Sequence, residues 1–468
     1  MARQVIILHG WSDSSKSFKA LAKFLDEHGF TPHAVHLGDY ISMDDEVRVE
    51  DVSRRMRDVI RQRQDEGTID ASFDMIVHST GGLVARQWIA DLAGLGLPCP
   101  LKRLVMLAPA NFGSALAVKG KSLLGRILKG GGNWFQTGKA MLDALELASP
   151  YQWKLASQDL FVPAGKSDAP SPYGDEGVWP FVVVGSHPYS DLLRKIVNEN
   201  GSDGTVRVCA ANLNARGMTI DFSSDPENPE VTPWTLRNPE LRMPLAVLLD
   251  RDHGSITRPD TKGVNAGDPN LLGELILQAL RCGDLNEYSA IGQQWDAITE
   301  GTGRLAGDKN SNKDSRAFYH QYFQVVVRAV DDQGNDIEDF FLEFGGADKN
   351  DRLTGIFHTE VLEKVSPNQT NPALRCLYVD RNDLFELYYD QIKDPTNKVL
   401  TLTVSAAPPG PNVAYLNQGQ GRIKVHSEHV DVRDNLGELR MRRNTTHFLK
   451  LVIPRTPKDD VFKLRVAP

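Results

Sequence analysis

No stretch of this chain approaches the roughly 20 consecutive apolar residues that span a bilayer as a helix. Nor does a charged-then-apolar signal region precede the first apolar run, QVIILHGW. The expectation is a chain without a transmembrane segment, cytoplasmic or exported without a cleaved signal peptide. Basic charge is also short: 53 lysines and arginines stand against 61 aspartates and glutamates, for a formal net charge of −8. That balance gives no electrostatic footprint for nucleic acid. Cysteine is scarce. Cys99, Cys209, Cys282 and Cys376 lie far apart with no metal-ligand spacing, which suits a reducing compartment and reads as buried apolar residues. What remains is a chain of 468 residues, long enough that more than one domain is expected.

Up to about Cys282, short apolar runs alternate with helical patterns. The strand candidates are VIIL (Val5 to Leu8), HAVHL (His33 to Leu37), DMIV (Asp74 to Val77), RLVMLA (Arg103 to Ala108), PFVVVG (Pro180 to Gly185) and LAVLLD (Leu245 to Asp250). Between them, KSFKALAKFLDEHG and VRVEDVSRRMRDVIRQRQDEG place apolar residues three and four apart, as surface helices do. This alternation predicts an α/β fold with a doubly wound, mainly parallel sheet. One interval breaks the rhythm. Gly113 to Val178 contains no strand pattern but many leucines and aromatics, and is read as a helical insertion, either a lid hinged at KGGGN (Lys129 to Asn133) or a packed subdomain.

Residues 284–316 read as a helix followed by a polar linker, and residues 317–468 change character. YFQVVVRAV, KVLTLTVSA and HFLKLVIP are β-rich runs with partial alternation, separated by turn signals such as DDQGND and PPGPN. They predict a C-terminal antiparallel β-sandwich domain of unassigned role, a candidate for docking a membrane surface or a protein partner.

Chemistry concentrates at DMIVHSTGGLVARQWIADL, Asp74 to Leu92. A strand runs into Ser79, two glycines follow, and a helical pattern begins at Leu83. A nucleophile elbow G-x-S-x-G has this geometry, with small residues because strand and helix approach closely. Here the window is Val77-His78-Ser79-Thr80-Gly81, so valine replaces the first glycine. From this window alone, Ser79 is either a nucleophile or an N-cap hydroxyl.

A serine hydroxyl needs a general base within reach and an acid that orients the base. His253, in LAVLLDRDHGSITRP, follows the last strand candidate. Asp203, in NENGSDGTVRVCAANL, lies in a turn-like segment after PFVVVG. Asp191 is the reserve acid, whereas Asp250 and Asp252 stand too close to His253 in sequence to reach around it. His9, in LHGW, is read as bracing its loop, and His78 as structural and pointing elsewhere.

Together these residues resemble the α/β-hydrolase superfamily, and within it bacterial lipases and esterases, over residues 4–283. LHGW looks like the oxyanion loop, VHSTGG like the elbow and LAPANFGS like the departure from the sheet into the lid. ALELASPYQWKLASQDL looks like the end of the lid, and SDGTV with DHGSI like the acid and base loops. The resemblance implies Ser79 as nucleophile, Asp203 as acid and His253 as base, with backbone N–H groups of Trp11 and Thr80 forming an oxyanion hole. It implies no metal and no cofactor. The expected activity is cleavage of carboxylic esters through an acyl-serine, and the greasy insertion points to lipid esters, triglyceride or phospholipid. The same triad would also serve an amidase, thioesterase or acyltransferase, and the same fold a non-catalytic binding module.

Overall fold

In the computed structural model, residues 2–8, 15–35, 44–118, 138–162, 170–189, 197–259, 268, 270–308, 316–346, 351–393, 399–416, 421–426 and 441–462 are described. The first eight strands are β1 (Arg3–Leu8), β2 (Phe30–Val35), β3 (Phe73–His78), β4 (Leu101–Leu107), β5 (Trp179–Gly185), β6 (Arg216–Asp221), β7 (Glu230–Pro233) and β8 (Leu245–Leu248). All six expected strands are among them. They form one sheet in the order β2-β1-β3-β4-β5-β8, with every pair parallel. β3 is buried along its whole length, which is why such strands read as continuous apolar runs rather than alternating ones.

Parallel neighbours need crossovers, and the helices Ser15–Glu27, Val49–Asp65 and Gly81–Gly94 supply them. Val49, Val52, Met56 and Ile60 form the buried stripe of the second. The sheet is closed off after β8 by Leu271–Arg281 and Leu285–Arg304, the latter capped by the Asp284 carboxylate accepting the Glu287 N–H at 2.9 Å. Strand order reverses between β1 and β3. Ligands of open α/β sheets bind beyond the carboxyl ends of strands at such a switch point, and Ser79 is the first residue past β3.

The chain divides into two compact units, 1–214 with 235–320 and 215–234 with 321–468. This corrects the linear boundaries read from the sequence in two places. The helix from Leu285 belongs to the first unit, and β6 and β7 belong to the second. Their physical reason is edge pairing: β6 lies parallel to β16 (Thr446–Ile453), and β7 returns antiparallel beside it.

The second unit also contains β9 (Tyr322–Asp331), β10 (Phe340–Gly346), β11 (Leu362–Pro367), β12 (Leu374–Asp380), β13 (Val399–Ala406), β14 (Val413–Ala414), β15 (Gly421–His426) and β17 (Thr456–Pro457). One sheet runs β11-β12-β9-β16-β6-β7 and another β10-β13-β15, with β14 and β17 as a small ribbon. Phe323, Val325 and Leu451 from the first sheet and Phe344, Leu402 and Val404 from the second share one apolar core, so two sheets do face each other. The larger one is mixed rather than antiparallel, because β16 runs parallel to both β9 and β6.

The described parts of the insertion are helical: Ala115–Val118, Lys139–Leu145 and Pro150–Asp159, the last started by Ser149 Oγ accepting the Gln152 N–H. The glycine-rich segment from Lys129 to Asn133 lies outside the described residues. Among the described residues, no helix is long and apolar enough to cross a membrane.

Candidate active site

The turn after β3 is as tight as its glycines require. Ser79 has φ +54°, a left-handed backbone that costs a non-glycine residue on the order of 1–2 kcal/mol. It is held there by its N–H donating to the Leu107 carbonyl at 3.1 Å and its own carbonyl accepting from Ala110 at 3.2 Å and Gly82 at 3.1 Å. A Cβ on Gly81 would stand 2.9 Å from the Leu8 carbonyl oxygen, and one on Gly82 2.8 Å from Pro109 Cβ. Val77, where a glycine is usual, is fully buried between Leu8 and Met106 in register. Its Cβ lies 3.5 Å from the space that Gly81 leaves open, so the valine is accommodated without contact below ordinary van der Waals distance there.

The three residues expected to act together do converge. His253 Nε2 lies 3.1 Å from Ser79 Oγ, and His253 Nδ1 lies 2.8 Å from Asp203 Oδ2. Asp203 and His253 are buried, while Ser79 is partly exposed. The other oxygen of Asp203 accepts the N–H groups of Thr205 at 2.9 Å and Val206 at 2.7 Å. The His253 N–H also donates to the Asp203 carbonyl at 3.0 Å, so acid and base are tied through backbone as well as side chain. With Nδ1 facing a carboxylate, the proton belongs on Nδ1 and Nε2 faces the serine as an acceptor.

The competing acids are otherwise engaged. Asp252 Oδ1 accepts the N–H groups of Gly254 and Ser255. Asp250 faces Arg251 across 3.7 Å, and burial pushes its carboxyl above the usual range despite that neighbour. Asp191, His9 and Trp11 lie outside the described residues. Thr80 is the N-cap of the helix Gly81–Gly94. Among the described residues its N–H has no backbone acceptor, and it stands at the positive end of that helix.

His78 does not simply point away, as expected. Its Nε2 lies 3.0 Å from the His253 carbonyl oxygen, where a ring N–H donates, and the two rings are 4.7 Å apart between centroids. The residue before the serine therefore braces the loop of the base. Arg86 was also not foreseen. It is fully buried, pairs with Asp159 of the insertion through Nε at 2.8 Å and Nη2 at 3.0 Å, and donates from Nη1 to the Asn111 carbonyl at 2.8 Å. Tyr173 adds its hydroxyl to Asp159 at 2.8 Å. This half of the insertion is welded to the helix that follows the elbow.

A strained serine at a strand-to-helix turn, reached by a histidine that is itself held by an aspartate, is the geometry expected at the site of an α/β-hydrolase sheet. The chain belongs to the alpha/beta hydrolase family, whose family model matches residues 5–261. Among solved structures it is similar to phospholipase PlaB from Legionella pneumophila, at 24% identity over 99% of this chain and 96% of that one, with a TM-score of 0.76. The same phospholipase in complex with thio-NAD gives 24% identity, 100% and 97% coverage and a TM-score of 0.77. Lipase BlEst2 from Bacillus licheniformis, in mature form, is 16% identical over 55% of this chain and 87% of its own, with a TM-score of 0.35. No curated relative matches the sequence.

Proposed function

We propose that the protein is a serine hydrolase of carboxylic esters, with Ser79 as nucleophile, His253 as general base and acid, and Asp203 as the residue that orients His253. The observation that carries this reading is the pair of hydrogen-bond distances through His253, 3.1 Å to Ser79 Oγ and 2.8 Å to Asp203. His253 Nε2 takes the Ser79 proton as Oγ bonds to the ester carbonyl carbon, whose π pair moves onto oxygen. The Thr80 N–H receives this oxyanion, such a donor being worth about 2.7–4 kcal/mol. The intermediate collapses as the C–O bond to the alcohol breaks, and the imidazolium returns its proton to the leaving oxygen. Water then repeats the sequence on the acyl-serine and releases the acid.

A lipid ester is the substrate class we favour. The leucine- and aromatic-rich insertion suits an acyl chain, and the likeness to a phospholipase over nearly the full length of both chains puts phospholipid first among lipid esters. The test is hydrolysis of p-nitrophenyl esters from short to long acyl chains and of phospholipid vesicles, with Ser79→Ala beside the intact protein. Activity that rises with chain length and falls by about 10⁴-fold or more in Ser79→Ala supports the reading. Hydrolysis that survives in Ser79→Ala overturns it.

A further inference from the structure

This inference rests on the reading of Ser79, His253 and Asp203 as a triad, and concerns what keeps its acid in place. The direction of the Asp203 carboxylate is set by the turn Asp203 to Val206. Oδ1 accepts the Thr205 and Val206 N–H groups at 2.9 and 2.7 Å, and the Asp203 N–H donates to the Val206 carbonyl at 3.2 Å. Gly204 makes this turn at φ +92°, and a Cβ there would stand 2.5 Å from the Tyr189 ring. That ring fills the space.

Two groups from outside the turn hold Thr205, each on a different atom. The Tyr189 hydroxyl lies 2.7 Å from Thr205 Oγ1, and Ser114 Oγ donates to the Thr205 carbonyl at 2.6 Å. Tyr189 is itself fixed by Asn198, which accepts its N–H at 3.0 Å and donates to its carbonyl at 2.9 Å. Ser114 stands at the root of the insertion. Its N–H donates to the carbonyl of Leu145, the last residue of the helix Lys139–Leu145. Leu116 and Leu142 of the insertion close a small apolar cluster with Tyr189 and Val197. Hydrogen bonds and packing thus both run from the insertion to Thr205, and from Thr205 to the acid.

We propose that Thr205 is a positioning residue through which the helical insertion keeps Asp203 aligned with His253, with Tyr189 and Ser114 as its two anchors. An aligned carboxylate stabilises the imidazolium that forms as Ser79 attacks. A loosened turn lets the carboxylate drift, and the loss falls on the chemical step rather than on substrate binding. It also lowers the proton affinity of His253, so the acid limb of the kcat/KM profile moves to lower pH.

The test compares Thr205→Val, Tyr189→Phe, their double variant, Thr205→Ser and Ser79→Ala in the full chain on one soluble p-nitrophenyl ester. Thr205→Val and Tyr189→Phe are each expected to lower kcat about 3- to 30-fold with KM within about two-fold, and to shift the acid limb downward. The double variant should be no worse than the weaker single one, because the two hydroxyls share one bond. Thr205→Ser, which keeps the hydroxyl, should return kcat to within about two-fold of wild type. Ser114→Ala loosens the same turn through its carbonyl, and should give the same kcat-selective loss if either first variant fails to fold. Wild-type kcat and an unmoved acid limb in these variants, with Ser79→Ala inactive, overturn the positioning role and leave the triad reading standing. Hydrolysis that survives Ser79→Ala overturns the triad reading first.

Discussion

The two units bury polar groups differently. In the first, buried arginines are paired near Ser79 and Asp203: Arg86, on the helix after Ser79, with the equally buried Asp159, and Arg207 with the partly exposed Glu199 beside the turn Asp203 to Val206. In the second, the core between the sheets is apolar, and the buried ring of His447 is kept neutral near pH 7 by its surroundings. Burying a charge pair contributes little net stability compared with apolar residues of the same shape, but removing one member is costly. The pairs near Ser79 and Asp203 therefore serve to hold a geometry more than to add net stability, whereas apolar packing closes the two sheets of the second unit.

The largest expected effect on stability comes from breaking a pair in the first unit. Arg86→Met strands the Asp159 carboxylate, and should cost about 3–5 kcal/mol in urea unfolding. Arg86→Met with Asp159→Leu should recover most of it, yet lose activity, because the grip on the Asn111 carbonyl next to the elbow is gone. A double variant as unstable as the single one would show that the pair is more than mutual compensation.

In the second unit the sensitive variable is pH. Burial, with the Arg216 and Arg442 charges, holds the His447 ring down at about 3, and its Nε2 accepts the Arg442 N–H at 3.0 Å. The unfolded chain binds this proton near pH 6.5 and the folded one does not. The stability that His447 contributes is therefore complete above about 6.5 and is lost as pH falls toward 3, by at most about 1.4 kcal/mol per pH unit. Hydrogen-exchange protection of Thr446 to Ile453, followed from pH 7.5 to 4.5, should fall more steeply in wild type than in His447→Gln. Equal slopes would place the acid sensitivity elsewhere.

Much of the first unit was legible in the sequence because its information is local. Each strand of a doubly wound sheet is one apolar run, and an elbow is a few adjacent residues whose glycines answer to contacts with Leu8 and Pro109. The residues proposed as acid and base could be found because each lies in the segment that follows a strand, His253 past β8 and Asp203 past β5. His78 and Arg86 were not legible in their roles. Their partners, the His253 carbonyl and Asp159, are 175 and 73 positions away, and no spacing rule reaches that far. The same limit explains β6 and β7, whose 215–234 segment carries no mark of the sheet it joins, since a parallel edge with β16 is formed only in three dimensions.

The central claim is that His253, held by Asp203, activates Ser79. It is tested most directly by reacting the protein with a fluorophosphonate, which bonds to an activated serine oxygen with loss of fluoride, and mapping the adduct by peptide mass spectrometry. The account predicts one adduct, on Ser79, lost in His253→Gln and slowed in Asp203→Asn. An adduct on another serine, or labelling of Ser79 that persists in His253→Gln at the wild-type rate, would contradict it.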